Sequence, residues 1–216
     1  MRATVDTERN QQMHVAVKKN RTNRPVSHTP TTLYPLPRSP CVRSPASVHR
    51  NALTDDVPNG EKVMAWLEAN RPDDVASCVI HGDWRIDNVV FDLKQARIVG
   101  VLDWELATVG DPLMDLGSAL AYWVDRDDEP GFASLRRQPS HLPGMPTREE
   151  FVQKYLQLSG RRCDDFTFYE AFGLFRLAVI IQQIWARYRA GQTTNPAFAG
   201  FGDACNTLIN RAERLI

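Results

Sequence analysis

From about residue 54 onward, apolar positions recur with the periods of regular secondary structure. Val63, Trp66 and Leu67 fall at i, i+3 and i+4, which predicts a short amphipathic helix ending near Asn70 and stopped before Pro72. Three short β-branched or apolar runs follow, Ser77 to Ile80, Val89 to Phe91 and Ile98 to Leu102. Polar turns bound each run, so they read as strands. Helical spacing resumes over Leu113 to Val124. Asp125 to Pro146 is then broken by prolines and glycines into a connection, in which Asp125 to Glu129 reads as a solvated helix end and His141 as a surface residue. Thr147 and Glu150 form a capping box for a helix that Gly160 closes. Asp164 or Asp165 can cap a long helix through Tyr188, with Gly191 beyond it, and a last helix runs from about Gly202 to Leu215. Trp66, Trp104, Trp123, Phe172, Phe175 and Trp185 are expected in the core. The class is α+β, mainly helical with a few short strands.

Composition changes the picture only at the start of the chain. Residues 1–50 hold nine of the 26 Lys and Arg, two of the 26 acids (Asp6 and Glu8) and six of the 14 prolines, with no apolar period. Such a stretch cannot bury enough surface to offset its ordering entropy. Residues 1–53 are therefore expected to be a disordered, basic, Pro-rich segment, and 54–216 the folded lobe. The prolines interrupt any amphipathic transit helix, and Tyr34 is the sole aromatic available for base stacking, so neither organelle import nor nucleic-acid binding is expected of this arm. No apolar segment suited to secretion opens the chain. The most apolar stretch, Phe168 to Trp185, contains Glu170 and Arg176, so no membrane partner is expected. Cys41, Cys78, Cys163 and Cys205 are widely spaced, which argues against a zinc site or disulfide framework and for a reducing, cytoplasmic location.

The chemistry concentrates in His81-Gly82-Asp83-Trp84-Arg85-Ile86-Asp87-Asn88, followed fifteen residues later by Asp103-Trp104-Glu105. Each acidic or amide group stands at the end of a short apolar strand, where a rigid core can present it to a cleft. Phosphoryl transfer needs such groups: a carboxylate to orient the attacking hydroxyl and oxygen ligands for a magnesium ion on the nucleotide phosphates. An alternative, metal-dependent hydrolysis by His81 and Asp83, lacks a second histidine nearby.

The stretch resembles the kinase catalytic loop H-x-D-x-x-x-x-N, with Asp103 at the place of the downstream metal-binding aspartate. More closely, His81 through Asn88, Leu102 to Ala107 and Gly110 to Gly117 resemble the aminoglycoside phosphotransferase family, in the branch found as stand-alone bacterial enzymes and as kinase domains fused to acyl-CoA dehydrogenases. The resemblance covers roughly residues 54–216 and implies a protein-kinase-like C-terminal lobe. It implies Asp83 as the base, Asn88 and Asp103 as magnesium and nucleotide ligands, and ATP and Mg2+ as cofactors. The substrate would be a small-molecule hydroxyl, with hydroxyacyl-CoA-type metabolites suggested by the branch. Arg85 either stabilises charge on the transferring phosphate or pairs with Asp87. His81 is read as bracing the loop, Asp111 as starting a helix before Pro112, and Asp115 as holding the loop's backbone amides. Glu105 stays open between a role near the metal and an ion pair.

Kinase-like transferases clamp ATP beneath a small N-terminal lobe carrying a flexible loop, a strand Lys and a helix Glu. Upstream of Gly82 the only glycine is Gly60, and the lysines are Lys18, Lys19 and Lys62. The lobe is therefore expected to be missing, with exposed apolar surface and self-association as consequences. A truncated, inactive remnant that serves as a binding module is the alternative function.

Overall fold

The computed structural model of the chain describes residues 49–58 and 60–216. Residues 1–48 of the tail expected over residues 1–53 lie outside them. Residues 49–51 already form a helical turn, with His49 buried and its ring 5.4 Å from that of Phe175, while Arg50 pairs with Glu61 at 3.0 Å. The packed body thus begins ahead of the expected boundary at residue 54.

Helix α1 (Glu61–Ala69) buries Val63, Met64 and Leu67, the face its apolar spacing marks out. Two antiparallel ribbons follow. In one, β1 (Cys78–Ile80) pairs with β4 (Thr108–Gly110), Cys78 facing Gly110 and Ile80 facing Thr108. In the other, β2 (Val89–Asp92) pairs with β3 (Arg97–Val101), Val89 facing Val101, with a bulge between Val90 and Phe91. Strand β4 was not expected, because three residues are too few to display a period of two.

Helix α2 (Pro112–Leu120) stops before the expected Val124. There the backbone tightens into bonds from Tyr122 N–H to the Ala119 carbonyl and from Trp123 N–H to that of Leu120, and Val124 N–H turns aside to Ser140 Oγ. A short α3 (Pro130–Ala133) and a 3-10 turn at Pro139–His141 lie inside the expected connection. Helix α4 (Arg148–Ser159) carries the capping box, Thr147 N–H to Glu150 Oε2 at 2.8 Å and Glu150 N–H to Thr147 Oγ1 at 3.2 Å, and ends on Gly160. Helix α5 (Thr167–Arg189) starts where Asp165, not Asp164, accepts the Thr167 N–H at 2.9 Å. Helix α6 (Phe201–Leu215) buries Ala204, Cys205, Leu208, Ile209 and Ala212 on one face, and burial pushes the Cys205 thiol up to about 12.

The core forms where α5 packs against α2, α6 and α1. Trp123, Phe172 and Phe175 are buried in it, and Trp66 and Trp185 pack partly buried against its edge. Trp104 is not a core residue: it is 51% exposed in the 3-10 turn after β3, its indole donating to the Val101 carbonyl. Both ribbons leave apolar side chains uncovered around the loop between β1 and β2, among them Val79, Val109, Phe91 and Val99. Among the described residues no helix is long and apolar enough to cross a membrane.

Asp125 to Glu129 is solvated only in part: Arg126, Asp127 and Glu129 are exposed, but Asp128 is enclosed. Asp128 takes a two-pronged hydrogen bond from Arg148 at 2.7 and 2.8 Å and lies 3.0 Å from Arg211, whose guanidinium stacks 4.1 Å from the Phe132 ring. Burial alone would raise the Asp128 carboxyl, but the Arg148 guanidinium outweighs it and holds the group below its ordinary value. The two arginines arrive from α4 and α6, so no local pattern reveals them. Arg148→Lys keeps the charge but loses the fork, and it is expected to lower unfolding stability by about 1–2 kcal/mol. Chemical denaturation checks this, and an unchanged midpoint would make the network dispensable.

Candidate active site

The loop joining β1 to β2 is held from three sides. Asp115 on α2 accepts the backbone N–H of His81 at 2.8 Å on one carboxylate oxygen and that of Gly82 at 2.9 Å on the other. From α5, the Arg176 guanidinium donates to the Gly82 carbonyl. From the Pro-rich connection, buried Gln138 accepts the Ile86 N–H at 2.9 Å and donates to the Tyr122 carbonyl at 3.3 Å. Gly82 has φ +80°, and a Cβ there would lie 2.5 Å from the Leu106 carbonyl oxygen, so no other residue fits.

His81 is buried and uses both ring nitrogens. Nδ1 accepts the Asp83 N–H at 3.2 Å, and Nε2 lies 2.8 Å from the Leu102 carbonyl oxygen, which fixes Nε2 as the protonated nitrogen. The imidazole therefore ties the loop to the end of β3 and has no nitrogen left to relay a proton.

Asp83 and Asn88 meet directly. The Asn88 amide nitrogen donates to the Asp83 carbonyl at 2.8 Å and to Asp83 Oδ2 at 3.3 Å. Two oxygen acceptors on that side require the nitrogen there, so Oδ1 is the atom that these bonds leave available as an acceptor. Asp103 reaches the same end of the β2–β3 ribbon: Leu102 N–H donates to the Asn88 carbonyl at 2.8 Å, and Asp103 follows at once. Its φ of +65° is unusual for a non-glycine residue and turns the chain sharply out of β3 into the Trp104–Leu106 turn. The Asn88 amide oxygen and the exposed Asp103 carboxylate, on residues brought to the same end of the ribbon by that backbone bond, are oxygen donors of the kind that fits a hard divalent cation. No group of three or more His, Cys, Asp or Glu suited to a metal occurs among the described residues, and Asn88 would not count toward one.

Arg85 makes the expected pair with Asp87, its terminal nitrogen 3.2 Å away, and its Nε also lies 3.9 Å from Asp83 Oδ2. Its guanidinium lies 5.0 Å from the centre of the Tyr122 ring. Burial, and then the charge of Asp83, push the Tyr122 phenol above its ordinary value, so it keeps its proton beside the carboxylate. Asp111 is buried and caps α2 through the Leu113 N–H at 2.8 Å, while its second oxygen accepts the Tyr169 hydroxyl at 3.0 Å and the Val75 N–H at 3.3 Å. Glu105 is exposed in the turn after Asp103. No local sequence pattern marks Gln138 or Tyr122 as site residues, and Arg176 shows only as an arginine inside the most apolar stretch of the chain.

A mainly helical lobe holding an H-x-D-x-x-x-x-N loop against a metal-suited aspartate defines a kinase-like phosphotransferase. Residues 27–151 match the family model described as the phosphotransferase enzyme family APH, and the chain belongs to that family. Two mouse proteins are similar: acyl-CoA dehydrogenase family member 10 is 35% identical over 166 residues, covering 76% of this chain and 15% of the relative. Family member 11 is 35% identical over 158 residues, covering 69% of this chain and 19% of the relative. The chain thus spans less than a quarter of either. A crystal structure described as an aminoglycoside phosphotransferase of Ralstonia eutropha JMP134 superposes with a TM-score of 0.66 at 26% identity, over 81% of this chain and 54% of that one.

Proposed function

We propose that this lobe carries out ATP- and Mg2+-dependent transfer of a phosphoryl group to a hydroxyl of a small molecule. Hydroxyacyl-CoA-type metabolites are the class to assay first, since the mouse relatives are acyl-CoA dehydrogenase family members by name. The observation that carries the reading is the double hydrogen bond from Asn88 to Asp83, at 2.8 and 3.3 Å, beside the β3 end that bears Asp103. Asp83 would orient the attacking hydroxyl and take its proton, Asn88 Oδ1 and the Asp103 carboxylate would hold the metal, and Arg85 would face the charge that develops on the transferring group. ATP would supply the phosphoryl group and depart as ADP, with Mg2+ offsetting the charge of the phosphate oxygens. His81, Asp111, Asp115 and Arg176 act through the backbone they fix.

The test follows Mg2+-ATP binding by calorimetry and phosphate transfer to hydroxylated acceptors, in the wild type and in Asp103→Asn. Losing one charged ligand is expected to raise the Mg2+ needed for half-saturation by at least about tenfold. Nucleotide binding and transfer with the same Mg2+ dependence in both proteins would remove Asp103 from the metal site.

A further inference from the structure

Behind the catalytic loop lies a cavity of about 280 Å3 that none of the roles above uses. It is floored by Ile98 of β3 and Leu120 of α2 and walled by Trp84, Trp123, Met145 and Phe151. We propose that this cavity is the acceptor's apolar subsite: it takes an uncharged alkyl or aryl group attached to the hydroxyl that Asp83 orients. The inference rests on the phosphotransferase reading for the role of Asp83, but not for the existence of the subsite.

Position comes first. Trp84 and Arg85 follow Asp83 in sequence and both line the cavity, and Arg85 Nε is 3.9 Å from Asp83 Oδ2. Arg85 therefore borders both the cavity and the base. Chemistry follows. Of the two polar residues of the lining, Gln138 is engaged with the Ile86 N–H and the Tyr122 carbonyl, and the terminal nitrogen of Arg85 with Asp87 at 3.2 Å, which leaves the buried Arg85 Nε as the one donor there without a hydrogen bond. A polyol or a polyamine placed there would lose its water and find few replacement partners, whereas an apolar group loses nothing. Size sets the limit: 280 Å3 holds about nine groups of water size, at ~30 Å3 each. That suits a short chain or a single ring.

Bound 6-bromohexan-1-ol would test this by quenching tryptophan fluorescence through contact of its bromine with Trp84 and Trp123. In the full chain, saturable quenching that 1-hexanol reverses is expected. Ala119→Leu fills the cavity from α2 and Met145→Trp fills it from the opposite connection, so a folding failure of one leaves the other informative. Each is expected to weaken the bromoalcohol by about tenfold. Quenching that rises linearly with concentration and is the same in the filled variants reports collision with exposed Trp104, and overturns the subsite. Saturable binding without phosphate transfer to any acceptor would instead count against the phosphotransferase reading and leave the subsite standing.

Discussion

Asp83→Asn is expected to slow ATP-dependent transfer by about 10²–10⁴-fold, the usual worth of a positioned proton acceptor, while shifting the unfolding temperature by no more than about 2 °C. The substitution is nearly isosteric, and the local hydrogen bonds tolerate it. The Asp83 backbone N–H still donates to His81 and its carbonyl still accepts from Asn88, because neither bond involves the carboxylate. The side-chain bond from Asn88 at 3.3 Å can be made to an amide oxygen as well. What disappears is the negative charge, and with it the capacity to take a proton from the attacking hydroxyl. Initial rates at saturating Mg2+-ATP, with circular dichroism melting as the control for folding, separate the two effects. Transfer within about threefold of wild type in a folded protein would end the role assigned to Asp83.

Much of the site was legible in the chain because it is local. Asp83 and Asn88 stand within one loop, and Asp103 joins them through a single antiparallel ribbon whose register follows from two short apolar runs. The helices were legible for a similar reason: caps such as Thr147 and Asp165, and stops such as Gly160, act within a turn of the residues they govern. What could not be read is whatever returns from far along the chain. Arg176 reaches Gly82 from 94 residues away and Gln138 reaches Ile86 from 52. In sequence the first is a charge interrupting an apolar helix and the second a polar residue in a Pro-rich connection. Trp104 failed in the opposite sense: large aromatics near strands are usually buried, yet this one sits on a rim turn against His81, with ring centroids 4.8 Å apart. Asp128 looked solvated because the arginines that enclose it lie in other helices.

The loop's dependence on distant helices makes one backbone crossing decisive. Helices α2 and α5 touch at Gly117 and Gly173, where a Cβ on Gly173 would stand 2.0 Å from the Gly117 carbonyl oxygen, and a Cβ on Gly117 would stand 2.1 Å from that of Tyr169. Ordinary van der Waals contact begins near 3.4 Å, and the obstructing atoms are backbone that cannot rotate away. Gly173→Ala therefore forces the two helices apart by more than an ångström. The better helix propensity of alanine returns only about 1 kcal/mol, against an overpacking cost of about 3 kcal/mol or more. The net loss is expected to lower the unfolding temperature by about 4–8 °C. The same displacement reaches the site by two routes, since α2 carries Asp111 and Asp115 whereas α5 carries Tyr169, the partner of Asp111, and Arg176, the partner of Gly82. Transfer activity should therefore fall even at temperatures where the variant stays folded, although residue 173 touches no reacting group. A Gly173→Ala protein that melts with the wild type would mean that the crossing is looser than its backbone contacts, and that α2 does not fix the loop rigidly.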